Sequence, residues 1–255
     1  MIDIISPKIP GKFVQEIFIM KTEIYPADSR GFADHGWLKT KHLFSFASYH
    51  DPHRMHFGKI RVLNDDIVAP DAGFGMHSHS NMEIVSIPLQ GNLIHKDDQG
   101  NTSKISTGEI QIMSAGTGIW HSEYNASDDE EVHFLQIWIF PEKEDIPPRY
   151  DQMGYDLNKH ENSFIPLVSP IKNENSLWIN QNAFLSLGKF NADRKFEYHL
   201  KNSENGALFF LIKGAITIDK EHIKERDSIA VHETTEIQFT TKSDSTVLVI
   251  ETPMH

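Results

Sequence analysis

The sequence predicts an all-β protein built as two tandem β barrels or sandwiches, and three observations support this prediction. The apolar residues fall in short runs separated by turn-forming residues, as in strands, rather than in long runs with helical periodicity. A weak internal repeat relates the two halves of the chain, and a proline-containing charged segment separates them. Two lobes also suit a chain of 255 residues, since single cores stop growing at about 250–300 residues.

Six runs of the sequence are the clearest strand candidates. In chain order they are 82–89, 108–113, 132–140, 183–190, 207–213 and 246–251. The run at 132–140 (VHFLQIWIF) is apolar on both faces, so we expect a strand that is covered on each side. Turn-forming residues at 97–101 and 218–221 predict a hairpin in each half of the chain.

The internal repeat aligns two strand–glycine–strand units. The segment IPLQGNLIHKDDQG (87–100) resembles FLIKGAITIDKEH (210–222), and Gly91 lies opposite Gly214. The second half of the chain is therefore expected to repeat the supersecondary unit of the first half.

The linker candidate is the segment 141–152, where three prolines stand among charged residues. We place the domain boundary there, which gives a first domain at 25–150 and a second domain at 151–255. Residues 1–24 form an N-terminal extension without an assignment.

The composition excludes several classes of function. The 24 Lys+Arg against 36 Asp+Glu give a formal net charge of −12, and a surface this acidic repels the phosphate backbone of nucleic acids. No apolar run approaches the roughly 20 residues of a membrane helix, so we expect no membrane segment. The chain has no cysteine, which excludes disulfides and thiolate ligands. It fits a reducing compartment, and the cytoplasm is the expected location.

Two runs combine histidine with the alternation of a strand. His77 and His79 are two residues apart, so on a strand both side chains leave the same face. His121 and Glu123 repeat this spacing in GTGIWHSEYN (116–125). If the two faces meet inside a barrel, three imidazoles and one carboxylate converge. A hydrogen-bonded barrel interior is the alternative, but unpaired buried polar groups are costly and a metal accounts for all four together.

Such a donor set suits one divalent transition metal and leaves coordination positions open for water, substrate or dioxygen. Imidazole and carboxylate donors accept Fe(II), Mn(II), Co(II), Ni(II), Cu(II) or Zn(II), so the residues leave the metal open. Glu83 shares the parity of His77 and His79, which predicts a second inward carboxylate.

The two histidine runs resemble the metal motifs of the cupin superfamily in their pirin form, GFGMHSHSNMEIVSIPLQG (73–91) and GEIQIMSAGTGIWHSEYN (108–125). The segments HGWLKTKHLFSFA (35–47) and FLQIWIFPEKEDIPPRY (134–150) also resemble pirins, so the likeness extends over residues 25–255. It is greatest for bacterial pirin-like proteins with quercetin 2,3-dioxygenase activity. This resemblance implies a bicupin, two tandem jelly-roll-like cupin barrels with one metal in the first barrel.

The resemblance also implies His77, His79, His121 and Glu123 as the metal ligands, with Fe(II) as the expected metal. In many other cupins the carboxylate ligand comes from the first motif, which here would be Glu83. We assign Glu123 as the ligand and Glu83 as an inward carboxylate near the substrate, and either of the two is a candidate catalytic base.

The second domain is expected to lack metal ligands. When the repeat is extended from its aligned positions, the four ligand positions fall on Leu200, Asn202, Thr240 and Lys242. His199 lies one residue away from this register, but one histidine does not make a site.

The function that the resemblance implies is ring-opening dioxygenation of a flavonol such as quercetin, with O2 as the second substrate and release of carbon monoxide. A regulatory alternative uses the same iron site as a redox-sensitive switch in a protein that binds a protein partner. A third alternative is a cupin isomerase that consumes no oxygen. The expected assembly is a monomer.

Overall fold

The regular secondary structure of the described residues is almost entirely β-strand, as the sequence predicts. The computed structural model describes residues 20–255, so residues 1–19 of the predicted extension lie outside the described residues. The described part contains two 3-10 helices, at Ala27–Ser29 and Leu157–Lys159. Within that part, no helix has the length and apolar character needed to cross a membrane.

The strands follow one another along the whole described chain. The first twelve are β1 (Lys21–Tyr25), β2 (Gly31–Asp34), β3 (Leu38–His42), β4 (Ile60–Val68), β5 (Gly73–His79), β6 (Glu83–Gln90), β7 (Asn92–Asp97), β8 (Thr102–Ser106), β9 (Glu109–Ser114), β10 (Ile119–Asn125), β11 (Val132–Ile139) and β12 (Arg149–Gly154). The next ten are β13 (Ser163–Ser169), β14 (Leu177–Trp178), β15 (Phe184–Phe190), β16 (Lys195–His199), β17 (Asn205–Lys213), β18 (Ala215–Ile218), β19 (Glu221–Lys224), β20 (Ser228–His232), β21 (Glu236–Thr241) and β22 (Ser245–Pro253).

Each lobe pairs a seven-stranded sheet with a four-stranded sheet. In the first lobe the spatial orders are β12-β9-β6-β11-β4-β3-β2 and β5-β10-β7-β8. In the second lobe they are β1-β20-β17-β22-β15-β13-β14 and β16-β21-β18-β19. The two orders correspond position by position, except that the edge pair is antiparallel in the first lobe (β2–β3) and parallel in the second (β13–β14). Gly91 and Gly214 both adopt positive φ, of 74° and 95°, between equivalent strands. The internal repeat therefore marks two copies of one barrel, and the predicted fold class is confirmed.

The largest apolar core lies between the two seven-stranded sheets. It contains side chains of both lobes, including Val85, Ile112 and Ile137 from the first and Phe210 and Leu248 from the second. This position explains why β11 is apolar on both faces, since one face lines the first barrel and the other packs against the second lobe. Burial of each such side chain contributes about 1.5–3 kcal/mol, so the lobes form one packed unit.

All six predicted strands are present, with ends that differ by at most two residues. Both predicted hairpins are present as well, since β7 pairs with β8 and β18 pairs with β19.

Two strands connect the lobes in a way that the predicted boundaries do not describe. Strand β1 pairs with β20 of the second lobe, although it precedes the whole first lobe in sequence. Strand β12 spans 149–154 and pairs with β9 of the first lobe, so the predicted boundary at 150 falls inside a strand of the first sheet. After β1, the chain therefore returns to the second lobe only beyond Gly154.

Candidate metal centre

Strands β5 and β10 bring the two histidine runs together. They pair antiparallel, with His121 opposite His77 and Ile119 opposite His79. The register then shifts between His121 and Glu123, because β5 carries one extra residue at this point. His121 and Glu123 are buried at 1% and 2% exposure, whereas Trp120 between Ile119 and His121 is 52% exposed. The alternation predicted for β10 is thus present.

Three imidazoles converge at the open end of the first barrel. The ring centroids are 4.8 Å apart for His77 and His79, 4.5 Å for His77 and His121, and 5.0 Å for His79 and His121. One nitrogen from each ring lies within 4.8 Å of the other two. Two nitrogens that bind one ion at about 2.0–2.1 Å are about 3–4 Å apart, so small side-chain movements would let these three nitrogens share one metal ion.

The protonation behaviour of the cluster suits metal binding. Burial, with the charges of His77 and His95 as further causes, lowers the pKa of His121 to about 3. Burial, with His121 and His77, lowers the pKa of His79 to about 4. Both rings are therefore neutral at pH 7, which is the form that binds a metal. Both ring nitrogens of His121 are buried and have no hydrogen-bond partner, and a metal ion would satisfy one of them.

Glu123 lies on the far side of His121 from the other two imidazoles. Its Oε1 accepts hydrogen bonds from Ser86 Oγ (2.9 Å) and from Gln111 Nε2. Its Oε2 accepts one from Gln136 Nε2 (2.6 Å). Its carboxylate is within 4.8 Å of His121 and His95. The structure therefore brings Glu123 to His121, while its carboxylate is held by three polar side chains of the barrel wall.

His95 and Asp97 are site residues that the sequence reasoning missed. His95 lies opposite Glu123 on β7, is fully buried, and its Nε2 is 3.0 Å from Asp97 Oδ2. Its ring stacks on Tyr150, with a centroid distance of 4.4 Å. The signal was available, because His95 and Asp97 have the same two-residue spacing as the other two pairs. Gln136 carried a similar signal as a single amide in the middle of an apolar strand.

Glu83 does not join the cluster, which corrects its prediction as an inward carboxylate near the substrate. It lies on the face of β6 that also carries Val85 and Ile87, and these residues pack in the core between the lobes. Its Oε2 accepts hydrogen bonds from Ser114 Oγ (2.8 Å) and from the backbone N of Asn180 (3.3 Å). A turn separates β5 from β6, and a turn resets which face the next strand presents. Glu83 therefore does not share the face of His77 and His79.

An aromatic wall adjoins the cluster. The ring centroids of Trp138 and His79 are 4.8 Å apart, and those of Phe46 and Trp138 are 5.3 Å apart. Trp138 is on the same face of β11 as Gln136, so the barrel interior changes from amides to aromatic rings toward its open end. A flat aromatic ligand would find apolar surface there, beside the imidazoles.

The interior of the second barrel is apolar where the first carries its imidazoles. Each of His95 and Ile218 lies four residues after its repeat glycine, and their cross-strand partners are Glu123 and Phe239. The same register places Ile237 at the position of His121. The extended sequence repeat gave Thr240 and Lys242 instead, because the connection before β21 is shorter than the one before β10. The potential ligands that the structure does group in this lobe, Glu197, His199 and Glu236, are exposed on the outer face of the sheet.

Comparisons with known proteins agree with this architecture. The family model described as Pirin matches residues 25–139, and the one described as the quercetinase C-terminal cupin domain matches residues 166–252. The "Quercetin 2,3-dioxygenase" of Escherichia coli K12 is 40% identical over 227 residues, which are 89% of this chain and 96% of that protein. The "Pirin-like protein" of Caulobacter vibrioides is 34% identical over 227 residues, or 89% and 97% of the two chains.

Solved structures give the same result. The crystal structure of YhhW from E. coli superposes with a TM-score of 0.88 at 38% identity and covers 92% of this chain and 99% of that chain. A structure of the bacterial pirin YhhW in complex with nickel(II) superposes with a TM-score of 0.87 at 37% identity, covering 92% and 100%. Two cupin barrels in one chain define a bicupin, and here the convergent imidazoles lie in the first barrel. Within that class, the chain belongs to the pirin family.

Proposed function

We propose that this protein is a metal-dependent dioxygenase that opens the ring of a flavonol such as quercetin and releases carbon monoxide. The observation that carries the proposal is the cluster of three imidazoles, in which both nitrogens of His121 are buried without a partner. The E. coli relative that bears the name quercetin 2,3-dioxygenase supports the choice of reaction.

His77, His79 and His121 would hold the metal, with Glu123 as the fourth ligand. We expect Fe(II), although the nickel(II) bound to the E. coli relative indicates that a pirin site accepts other divalent ions. When bound, such an ion lowers the pKa of a coordinating hydroxyl group and provides a redox-active centre for dioxygen.

Glu123 is the carboxylate that we assign to proton transfer. Its carboxylate lies within 4.8 Å of His121, whereas Glu83 lies behind the sheet and cannot reach a substrate there. A flavonol carries a hydroxyl beside its ring carbonyl, and the proton of this hydroxyl would pass to the carboxylate oxygen of Glu123 that does not hold the metal. Ser86, Gln111 and Gln136 keep that carboxylate fixed, which limits the reorganisation that the transfer requires.

Trp138 and Phe46 would orient the substrate. Their edge-to-face contact forms an apolar surface next to His79, against which the flat flavonol rings can pack while the hydroxyl end reaches the imidazoles.

The test measures oxygen consumption and carbon monoxide release with quercetin. Protein freed of metal is reconstituted separately with Fe(II), Mn(II), Co(II), Ni(II) and Cu(II), and the His121→Ala variant serves as the control. Metal-dependent turnover that the variant lacks supports the proposal. Full metal occupancy without oxygen uptake or substrate loss would refute the dioxygenase assignment.

A second candidate function, an iron-dependent regulator that binds a protein partner, is favoured by one observation. The outer face of the β5–β10–β7 sheet exposes Trp120 (52%), Tyr124 (42%) and Ile94 (39%) directly behind the strands of the imidazole cluster. Exposed aromatic groups of this kind are enriched at protein interfaces. A regulator would lose partner binding when Trp120 and Tyr124 are changed to serine, and it would consume neither quercetin nor oxygen.

A further inference from the structure

We propose that Asn180, in the lobe without the imidazole cluster, is a positioning residue for the metal centre of the first lobe. This inference rests on the proposed metal site and gives the second lobe a role in it. Asn180 holds the segment after β11 against the two turns from which the histidine-bearing strands emerge.

Asn180 bonds to the first lobe through its backbone and its side chain. It is 5% exposed and follows β14 at the interface between the lobes. Its backbone oxygen accepts a hydrogen bond from the backbone N of Glu142 (2.7 Å), and its Nδ2 donates to the backbone oxygen of Lys143 (2.7 Å). Its backbone N donates to Glu83 Oε2 (3.3 Å). One residue of the second lobe thus fixes two adjacent residues of the 140–148 segment, Glu142 and Lys143, by two hydrogen bonds.

The same segment reaches the two turns a few residues later. The backbone N of Asp145 donates to Asn81 Oδ1 (2.8 Å), and Asn81 Nδ2 donates back to Asp145 Oδ1 (3.2 Å). The oxygen of Ile146 accepts from the backbone N of Thr117 (3.0 Å). Gly116 has φ 47° and lies so close to Ile146 that a Cβ there would be 1.9 Å from the Ile146 oxygen. This contact therefore requires glycine.

Each of the two turns lies next to a strand that bears predicted metal ligands. Asn81 comes two residues after His79 at the end of β5, and Thr117 comes four residues before His121 at the start of β10. A hydrogen bond from Asn81 N to Gly116 O (2.9 Å) joins the turns to each other. Displacement of the 140–148 segment would therefore shift the imidazoles of His79 and His121 relative to one another.

The second contact of Asn180 acts on the same turns from the other side of the sheet. Glu83, which its backbone N contacts, also accepts from Ser114 Oγ (2.8 Å), and Ser114 is two residues before Gly116. Asn180 is therefore bonded to segments that flank both turns. Metal ligation tolerates deviations of only a few tenths of an ångström, so such supporting groups govern affinity as well as geometry.

The experiment compares Co(II) release from Asn180→Asp with release from the wild-type protein. Aspartate has the shape of asparagine, but it places an oxygen against the Lys143 carbonyl where Nδ2 had donated. We expect Co(II) to transfer to a chelator about tenfold faster, the scale seen when outer partners of metal ligands are removed. We also expect a changed visible absorption spectrum of bound Co(II), which a loss of global stability alone would not produce.

Asn205→Ala is the matched control. Asn205 is a buried asparagine of the same lobe (2% exposed), and its Nδ2 bonds to Glu251 (2.9 Å) within that lobe. This variant should keep the wild-type spectrum and release rate even where its unfolding midpoint falls. If Asn205→Ala changes the spectrum as Asn180→Asp does, the effect is general destabilisation and the inference is wrong.

A second variant tests Asn81, the exposed residue that the 140–148 segment contacts, where substitution leaves the core intact. Asn81→Asp removes the Nδ2 donor and sets a carboxylate against Asp145 Oδ1, so one of the two reciprocal hydrogen bonds is replaced by repulsion. The residue still tolerates positive φ. Co(II) release should again accelerate, even though the added negative charge by itself favours retention of a cation. Wild-type spectra and rates in both variants would overturn the inference alone. Failure of the wild-type protein to bind Co(II) in a His121-dependent manner would overturn the metal site and the inference together.

Discussion

Replacement of Glu83 by glutamine should stabilise the protein at alkaline pH and hardly at all at acidic pH. Burial is the main cause that raises the pKa of Glu83 to about 7, against opposing effects of the Ser114 hydrogen bond, the Asn180 backbone N and the charge of Arg149. The side chain is 1% exposed, so this shift is little reduced by solvent. The interval from 4.5 to about 7 corresponds to about 3 kcal/mol of unfolding free energy.

The direction of this pH dependence follows from the protons that the folded and unfolded states bind. Between pH 4.5 and about 7 the unfolded chain releases the proton that folded Glu83 retains, so the free energy of unfolding decreases as the pH rises. Glutamine resembles the protonated acid, because Oε2 accepts both hydrogen bonds and an amide oxygen can take its place. The stabilisation by Glu83→Gln should therefore be about 3 kcal/mol at pH 8 and less than about 1 kcal/mol at pH 5.

Urea unfolding of chelator-treated protein, followed for wild type and variant at several pH values from 5 to 8, measures this difference. Titration of the histidines affects both proteins equally and cancels. A difference in unfolding free energy that is independent of pH, or a variant that is less stable than wild type at pH 8, would refute the reasoning.

Three further predictions concern the donor set. His121→Ala should lower metal content sharply, since the remaining ligands cannot hold the ion, and metal analysis near wild-type stoichiometry would remove His121 from the site. Gln136→Leu should reduce the free energy of unfolding by about 1.5–3 kcal/mol, because the Glu123 carboxylate loses a buried donor; an unchanged urea midpoint contradicts this. His199→Ala should leave the metal content of the purified protein unchanged, and a halved content would show that the exposed cluster with Glu197 is an occupied site.

The local pattern of the sequence was sufficient for the strands and for the shared face of each pair, whereas the convergence of the imidazoles followed from the resemblance to pirins. Residues two apart on one strand must share a face, so His77 with His79 and His121 with Glu123 needed no knowledge of the fold. Glu83 was misplaced because a short turn intervenes, and Asn81 within it adopts φ 47°. Backbone geometry in such a turn depends on tertiary contacts, here those with the 140–148 segment.

Other features were missed because they depend on contacts between distant segments. The polar cage around Glu123 draws Ser86, Gln111 and Gln136 from three different strands, and no local spacing relates them. β1 pairs with the edge of the second-lobe sheet, and β12 pairs with the equivalent edge of the first-lobe sheet. The alternation of side chains within a strand does not specify which sheet edge the strand will pair with.

The pairing of β1 with β20 also sets a timetable for folding during synthesis. Lys21 pairs with His232, so 232 − 21 = 211 residues separate the partners. At a synthesis rate of about 5–20 residues per second, β1 leaves the ribosome some 10–40 s before its partner exists. The first barrel can close in that interval, while β1 remains an unpaired strand. The charged side chains of Lys21 and Glu23 on β1 oppose its aggregation with other unpaired strands. The second barrel is thus completed by one of the first strands to be made.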